Sequence, residues 1–214
     1  MPSTDRRRLP AAERRAQIAG AARAVALRDG LAAVTLRGVA AEAAVAPALV
    51  AHYSPSMEAL VAETFAGIVA AELDEVRHLA GGDAPDALGA LLRTLLGGGR
   101  EDVTAVWVEA WALGRRNAEL AAAVRDQMDA WHVALVELLA RGAADGSLTV
   151  ADPDAVAWHV LGMIDGLNAQ ALVRWRQDDA RVALAARAVE AMVGLPRGAV
   201  AAPERATVDA GETP

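Results

Sequence analysis

The sequence predicts an all-α protein, on the evidence of its composition and its pattern of helix-breaking residues. Hydrophobic residues make up 54% of the 214-residue chain, and most of them are Ala, Val and Leu. Alanine has the highest helix propensity, and strand-forming runs of Val, Ile, Thr and Tyr are missing. Pro and Gly residues separate segments in which apolar residues recur every three or four positions, as they do on one face of a helix.

Three short helices are predicted at the start of the chain. The first begins near Pro10 and ends at Gly30, and Thr35 is a suitable N-cap for the second, LRGVAAEA. A break near Ala44 precedes a short third helix, PALVAHY, which has Pro47 in its first turn. Two short helices joined by about four residues and preceded by a longer helix are typical of a helix-turn-helix DNA-binding unit.

Six more helices are predicted in a larger body. Their approximate limits are 56–79, 84–96, 101–114, 117–143, 153–175 and 179–193. The sequence from Leu195 has no apolar period, so residues 195–214 are expected to form a disordered tail. The predicted domains are a disordered basic arm (1–8), a DNA-binding domain (9–54) and a ligand-binding and dimerisation domain (55–194).

Charge is distributed unevenly along the chain. Residues 1–54 contain eight Arg and four acidic residues, a charge of +4, whereas the rest contains 13 Arg and 24 acidic residues, a charge of −11. This asymmetry predicts that the N-terminal part meets a polyanion. The Arg6–Arg8 run would reach the DNA backbone or the minor groove, or would remain a solvated tail.

Other classes of protein are disfavoured by what the sequence lacks. It has no cysteine, no apolar segment of a secretory signal, and no apolar run of the roughly 18 residues that a membrane span needs. We therefore expect a cytoplasmic protein without membrane contact, cofactor or metal. Glu75-x-x-His78 matches only half of a di-iron helix motif, and no nucleophile–base arrangement indicates an enzyme.

The first 60 or so residues resemble the N-terminal domain of the tetracycline-repressor (TetR) family. The stretch VTLRGVAAEAAVAPALVAHYSPSMEAL, from Val34 to Leu60, is similar to the family pattern of a Thr-x-Arg-x-(Ile/Val)-Ala helix, a turn, and a short reading helix with an aromatic–His pair at its end. The segments WVEAWALGRRNAEL and WHVLGMIDGLNAQALV resemble the branch that includes choline-responsive repressors of betaine synthesis. Three positions depart from the family pattern: Ala44 replaces a turn Gly, Ala46 an N-cap Ser, and Met57 a phosphate-binding Lys.

The resemblance and the helix geometry together predict the DNA contacts. The candidate residues are Thr35, Arg37, Pro47, Ala48, Leu49, Ala51, His52 and Tyr53. Small apolar side chains on a groove-facing helix can approach base edges, and Arg37 would make a bidentate contact with guanine. His52 and Tyr53 would donate to phosphates. For Arg37 the alternative is a solvated surface arginine. For His52 and Tyr53 the alternative is an aromatic wedge between the domains.

In the body, the candidate ligand residues are Trp107, Trp111, Trp131, Asp165 and Asn168. The three tryptophans would either line an aromatic pocket or belong to the core. Asp165 and Asn168 form a polar pair on an apolar helix, and they would orient a ligand, cap a neighbouring helix or face a dimer axis. Trp107 and Trp111 are four positions apart and share a helix face, whereas Glu109 lies two positions from each of them and need not join them.

These features predict a ligand-responsive transcriptional regulator, most simply a repressor. Two copies would pair through helices 153–175 and 179–193 and would bind a near-palindromic double-stranded DNA operator. A small-molecule effector of unknown identity would release the operator. One alternative is a dimeric helical small-molecule-binding protein that has lost DNA affinity, and another is a small all-α enzyme.

Overall fold

A computed structural model describes residues 10–175 and 180–200, and within these residues the chain is entirely helical. Its nine α-helices are α1 (Ala11–Asp29), α2 (Leu36–Glu42), α3 (Pro47–Tyr53), α4 (Met57–Leu79), α5 (Ala84–Leu96), α6 (Glu101–Gly114), α7 (Ala118–Asp145), α8 (Pro153–Leu172) and α9 (Ala180–Met192). A 3₁₀ turn, Leu31–Ala33, follows α1. The predicted fold class is confirmed. The Arg6–Arg8 arm lies outside the described residues.

The helix boundaries follow the residues that predicted them. Gly30, with φ +87°, ends α1. The Thr35 side chain accepts a hydrogen bond from the Gly38 amide at 3.0 Å and caps α2, and Asp152 caps α8 in the same way through the Ala155 amide. Helix α8 stops at Leu172, three residues before the predicted end, where Arg174 adopts φ +58° and breaks the helical path.

The turn between α2 and α3 places an alanine where glycine is usual. Ala44 has φ +53°, a left-handed conformation that crowds a Cβ atom and costs roughly 1 kcal/mol. The Val45 amide donates to the Ala40 carbonyl at 2.9 Å, which closes the turn after α2. The helix-turn-helix geometry is therefore made despite the missing glycine.

The described residues form two compact units. The first contains the chain up to Glu75 together with Gly99–Trp131, and the second contains Val76–Gly98 and the chain from His132. In the first unit the fully buried side chains include Leu31, Val39, Val50, Phe65 and Ile68. In the second they include Leu88, Leu92, Leu96, Leu135 and Leu139. None of the helices described combines the length and apolarity of a membrane span.

The segment that follows α9 corrects one prediction. A disordered tail was expected from residue 195, but residues 197–200 form turns and Val200 is only 3% exposed. The buried Glu190 carboxylate accepts hydrogen bonds from the Gly198 amide at 2.9 Å and the Val200 amide at 3.0 Å. Hydrogen bonds from its backbone amides to the Glu190 side chain therefore hold this segment in place. Such bonds do not require a periodic pattern of apolar residues, so nothing in the sequence indicated them. Residues 201–214 lie outside the described part.

Candidate nucleic-acid interface and effector region

Helix α3 presents a small, uncharged face to solvent. Its exposed side chains are those of Pro47, Ala48, Ala51 and His52. Leu49 and Tyr53 are half-buried, and Val50 is completely buried. Val50 therefore lies on the inner face of the helix, and the four exposed residues form its outer face. The outer face has little steric bulk, so it can approach base edges closely, although the DNA contacts themselves remain predictions.

Arg37 lies exposed in the first turn of α2 and makes no hydrogen bond or ion pair with the described residues. Arg28, by contrast, pairs with Asp29 at 2.9 Å and with Glu42 at 3.0 Å. Thr35 is also exposed, and its hydroxyl oxygen already caps α2. Of the two arginines, Arg37 has its guanidinium free for an external acceptor.

Two departures from the family pattern, Ala46 and Met57, lie at the starts of α3 and α4. Ala46, the N-cap of α3, offers no side-chain hydrogen bond. His52 and Tyr53 at the other end are in edge-to-face contact, with ring centroids 5.2 Å apart. The Ser56 hydroxyl oxygen accepts from the Ala59 amide at 2.9 Å, so α4 is capped although Met57 replaces a cation.

Aromatic rings connect α4 and α6 in the first unit. The Trp107 ring lies edge-on to Phe65, with centroids 5.0 Å apart, and 5.8 Å from the ring of Trp111. Phe65 is fully buried, whereas both tryptophans are half-buried. Trp107 and Trp111 thus share the predicted helix face, and their partial exposure leaves ring surface available to a ligand.

A buried acid, Glu72, adjoins these rings. It was not identified from the sequence as a candidate site residue. Its side chain is 7% exposed, accepts a hydrogen bond from Trp107, and lies 3.5 Å from Arg100. Burial raises the pKa of Glu72, and the Arg100 charge and the Trp107 hydrogen bond oppose that rise. Its position seven residues after Phe65, on the apolar stripe of α4, was the signal that could have revealed it.

Arg100 also pairs with Glu75, at 2.6 Å. Two carboxylates therefore share one guanidinium, which leaves one negative charge uncompensated when both are ionised. Glu75 belongs to the half-motif considered for iron, but its carboxylate is engaged by Arg100. No group of three metal-ligating side chains occurs in the part of the chain described. The charge balance of this cluster suits a cation better than an anion.

Helix α7 carries two buried polar atoms that lack partners. The Trp131 ring nitrogen and the Gln127 amide oxygen, one helical turn apart, have no hydrogen bond within the structure described. Trp131 is only 6% exposed. A buried donor and a buried acceptor without partners are costly, and in functional proteins such pairs often meet a ligand or a water molecule.

The acidic side chain between the two tryptophans of α6 points to a different partner. A Glu109 carboxylate oxygen accepts a hydrogen bond from the Leu31 amide at 2.6 Å. A Cβ atom added to Gly30 would lie 2.5 Å from the other carboxylate oxygen. Glu109 therefore contacts the junction between α1 and α2, which agrees with its predicted separation from the Trp face.

Asp165 and Asn168 lie in the second unit, and Asn168 has a structural partner there. Its amide nitrogen donates to the Leu95 carbonyl at 3.1 Å, and Arg181 donates to the Leu96 carbonyl at 3.2 Å. Both groups satisfy carbonyls at the end of α5, where a cation is also favoured by the helix dipole. Asn168 thus matches the helix-capping alternative. Burial raises the pKa of Asp165 to about 6, so its carboxyl is partly protonated near neutral pH.

Comparisons with known proteins agree with this arrangement. Residues 18–64 match the family model described as bacterial regulatory proteins of the tetR family. Residues 86–194, about half of the chain, match the model described as the C-terminal part of BetI-type transcriptional repressors. A search of curated proteins found no match.

Solved structures show the same fold at low sequence identity. A transcriptional regulator from Saccharomonospora viridis in complex with choline is 24% identical, with a TM-score of 0.70 over 84% of this chain and 95% of that one. A TetR regulator from Haloarcula marismortui is 19% identical, with a TM-score of 0.72 over 86% and 97% of the two chains. Reduced NemR from E. coli is also 19% identical, with a TM-score of 0.72 over 86% and 98%. With two family models matched in chain order, the protein belongs to the TetR family, whose members are transcriptional regulators rather than enzymes.

Proposed function

We propose that the protein is a cytoplasmic, ligand-responsive repressor that binds a near-palindromic DNA operator as a homodimer. The observation that carries this proposal is the exposed, uncharged outer face of α3 beside the unpaired guanidinium of Arg37. A helix of small side chains can enter the major groove, while Arg37 supplies a bidentate base contact. The positive charge of residues 1–54 supplies attraction to the phosphates.

Dimerisation is supported by the apolar surface of the second unit. Trp158 is 75% exposed on α8, and Leu184 is 50% exposed on α9. Gly162 and Gly166 follow Trp158 at four-residue steps, and a Cβ atom on either would meet nothing within 4 Å. Such a stripe is costly in water and allows a second helix to approach closely. A second copy of α8 and α9 would cover it in a four-helix arrangement.

For the effector we propose a small organic cation. The support comes from the Trp107 and Trp111 rings beside the Glu72, Glu75 and Arg100 cluster, which carries one excess negative charge when both carboxylates are ionised. Aromatic faces attract quaternary ammonium groups, and the attraction is stronger where water is excluded. The Saccharomonospora viridis regulator of the same fold was solved with choline. Choline is therefore the first effector to test.

The DNA-reading part of the proposal is tested by Arg37→Ala. We expect its affinity for the chain's own operator, found by selection from a duplex library, to fall about 10- to 100-fold, because one bidentate base contact is lost. Affinity for random duplex should change much less, since that binding depends on total charge. Gel-shift titrations at one salt concentration measure both.

Arg28→Ala is the matched control, because it removes the same charge from a side chain already paired with Asp29 and Glu42. Equal losses on operator and random DNA would make Arg37 a backbone contact. If the wild-type protein shifted no duplex at low salt, the protein would instead be a dimeric small-molecule-binding protein without DNA affinity. That alternative is motivated by Ala46, the N-cap of α3, which provides no side-chain hydrogen bond to the helix.

The effector part is tested by adding choline to the operator complex. We expect choline to release the DNA and to raise the melting temperature of the free protein, since ligand and DNA oppose each other reciprocally. The uncharged control is 3,3-dimethylbutan-1-ol, in which carbon replaces the quaternary nitrogen of choline. It should neither release the DNA nor raise the melting temperature. If choline and the control had equal effects, the cationic class would be wrong.

A further inference from the structure

Helix α6 has two functional faces in the first unit. One face carries Trp107, which packs edge-on to Phe65 of α4, and Trp111, whose ring lies 5.8 Å from that of Trp107. The other carries Glu109, which reaches the junction between α1 and α2. A single rigid helix thus contacts both the aromatic cluster and the scaffold on which the reading helix is mounted.

The Glu109 carboxylate fits closely against the backbone of both Gly30 and Leu31. It accepts a short hydrogen bond from the Leu31 amide, at 2.6 Å. Leu31 itself is fully buried and begins the 3₁₀ turn, so its amide has no partner within α1. Gly30 leaves room for the carboxylate, because any larger residue would place a Cβ atom within 2.8 Å of both oxygens.

The junction determines how the reading helix is held. Residues 30–35 connect α1 to α2, and α2 packs directly against α3. A change in the path of this junction would therefore alter the angle between α1 and the helix-turn-helix pair. Base contacts depend on that angle more than phosphate attraction does, because hydrogen bonds to base edges require precise geometry.

We propose that Glu109 is a positioning residue for DNA recognition: its carboxylate fixes the α1–α2 junction and so sets the angle of the reading helix. The expected effect of Glu109 on operator recognition rests on the proposed function. The contact itself can be tested without DNA, so the two can fail separately.

The first measurement is hydrogen exchange of the Leu31 amide in the free protein. In Glu109→Ala this amide should exchange at least about 10-fold faster than in the wild type, because the Glu109 acceptor is gone. Glu109→Gln should retain part of the protection, since its amide oxygen still accepts. Glu63→Ala removes the same charge from an exposed position on α4 and should leave Leu31 protected. Unchanged protection in Glu109→Ala would overturn the proposal.

The second measurement is the ratio of operator affinity to random-duplex affinity. Glu109→Ala should lower this ratio by about 5- to 10-fold, and Glu109→Gln should recover much of it. A merely structural role would lower thermal stability and leave the ratio intact, and that result would also overturn the proposal. If the wild type bound no duplex, the proposed function would fail, whereas Leu31 exchange would still decide whether Glu109 holds the junction.

Discussion

Gly166→Glu should convert the protein to a monomer and lower its operator affinity by at least about 100-fold. A Cβ atom added at Gly166 would meet nothing within 4 Å in the single chain, so the new side chain starts in open space. Glutamate also has a higher helix propensity than glycine, so α8 itself should become slightly more stable. The loss would arise only at the proposed interface, where each copy would bring a charged side chain into an apolar contact.

Sedimentation equilibrium gives the oligomeric state, and gel shifts at constant salt give the operator affinity. Gly67→Glu is the matched control, because Gly67 lies on α4, is exposed, and also has open space around it. The control adds the same charge and should remain a dimer that binds the operator. If Gly166→Glu stayed dimeric, the stripe of Trp158, Gly162 and Gly166 would not be the dimer interface.

Glu190→Ala should destabilise the fold by about 2–4 kcal/mol, because two amides would lose a charged acceptor and a cavity would form. Glu190 is only 2% exposed, and one of its oxygens accepts from both Gly198 and Val200. The second oxygen has no partner in the described residues. Glu190→Gln keeps the accepting oxygen and removes a buried charge, so it should cost less than about 1 kcal/mol.

Urea unfolding at constant protein concentration measures these differences, since dimerisation makes the midpoint depend on concentration. Glu137→Ala is the control, because Glu137 is exposed in the same unit and should change stability by less than about 0.5 kcal/mol. Similar losses in Glu190→Ala and Glu137→Ala would show that the carboxylate does not hold the segment after α9.

Local sequence signals predicted the helices well because helix ends depend on nearby residues. Thr35 caps the helix that it was expected to cap, and Pro47 opens α3 as predicted. The exposed face of α3 follows from helical geometry, because residues three and four positions apart lie on the same face of a helix. The end of α8 was placed three residues too late, because nothing in the sequence marks Arg174 as left-handed.

Contacts between distant residues could not be predicted in the same way. Glu109 and Leu31 are 78 positions apart, and Asn168 and Leu95 are 73 apart. Each pairs a side chain with a backbone group, and a backbone group has no residue type to recognise in a sequence. Glu190 and the turns up to Val200 are a further example, since only tertiary packing makes that segment ordered. The sequence therefore indicated the helices and their ends more completely than it indicated the contacts between distant residues.

The proposed function requires that two copies of this chain present their α3 helices to two successive major grooves. The most direct measurement is footprinting of the operator complex, with its protein-to-DNA ratio determined by sedimentation. Two protomers should protect two inverted half-sites whose centres lie about one helical turn apart, roughly 10 base pairs, or slightly more. A monomer bound to one half-site, or a protein that protects no specific sequence in dilute buffer, would contradict the claim.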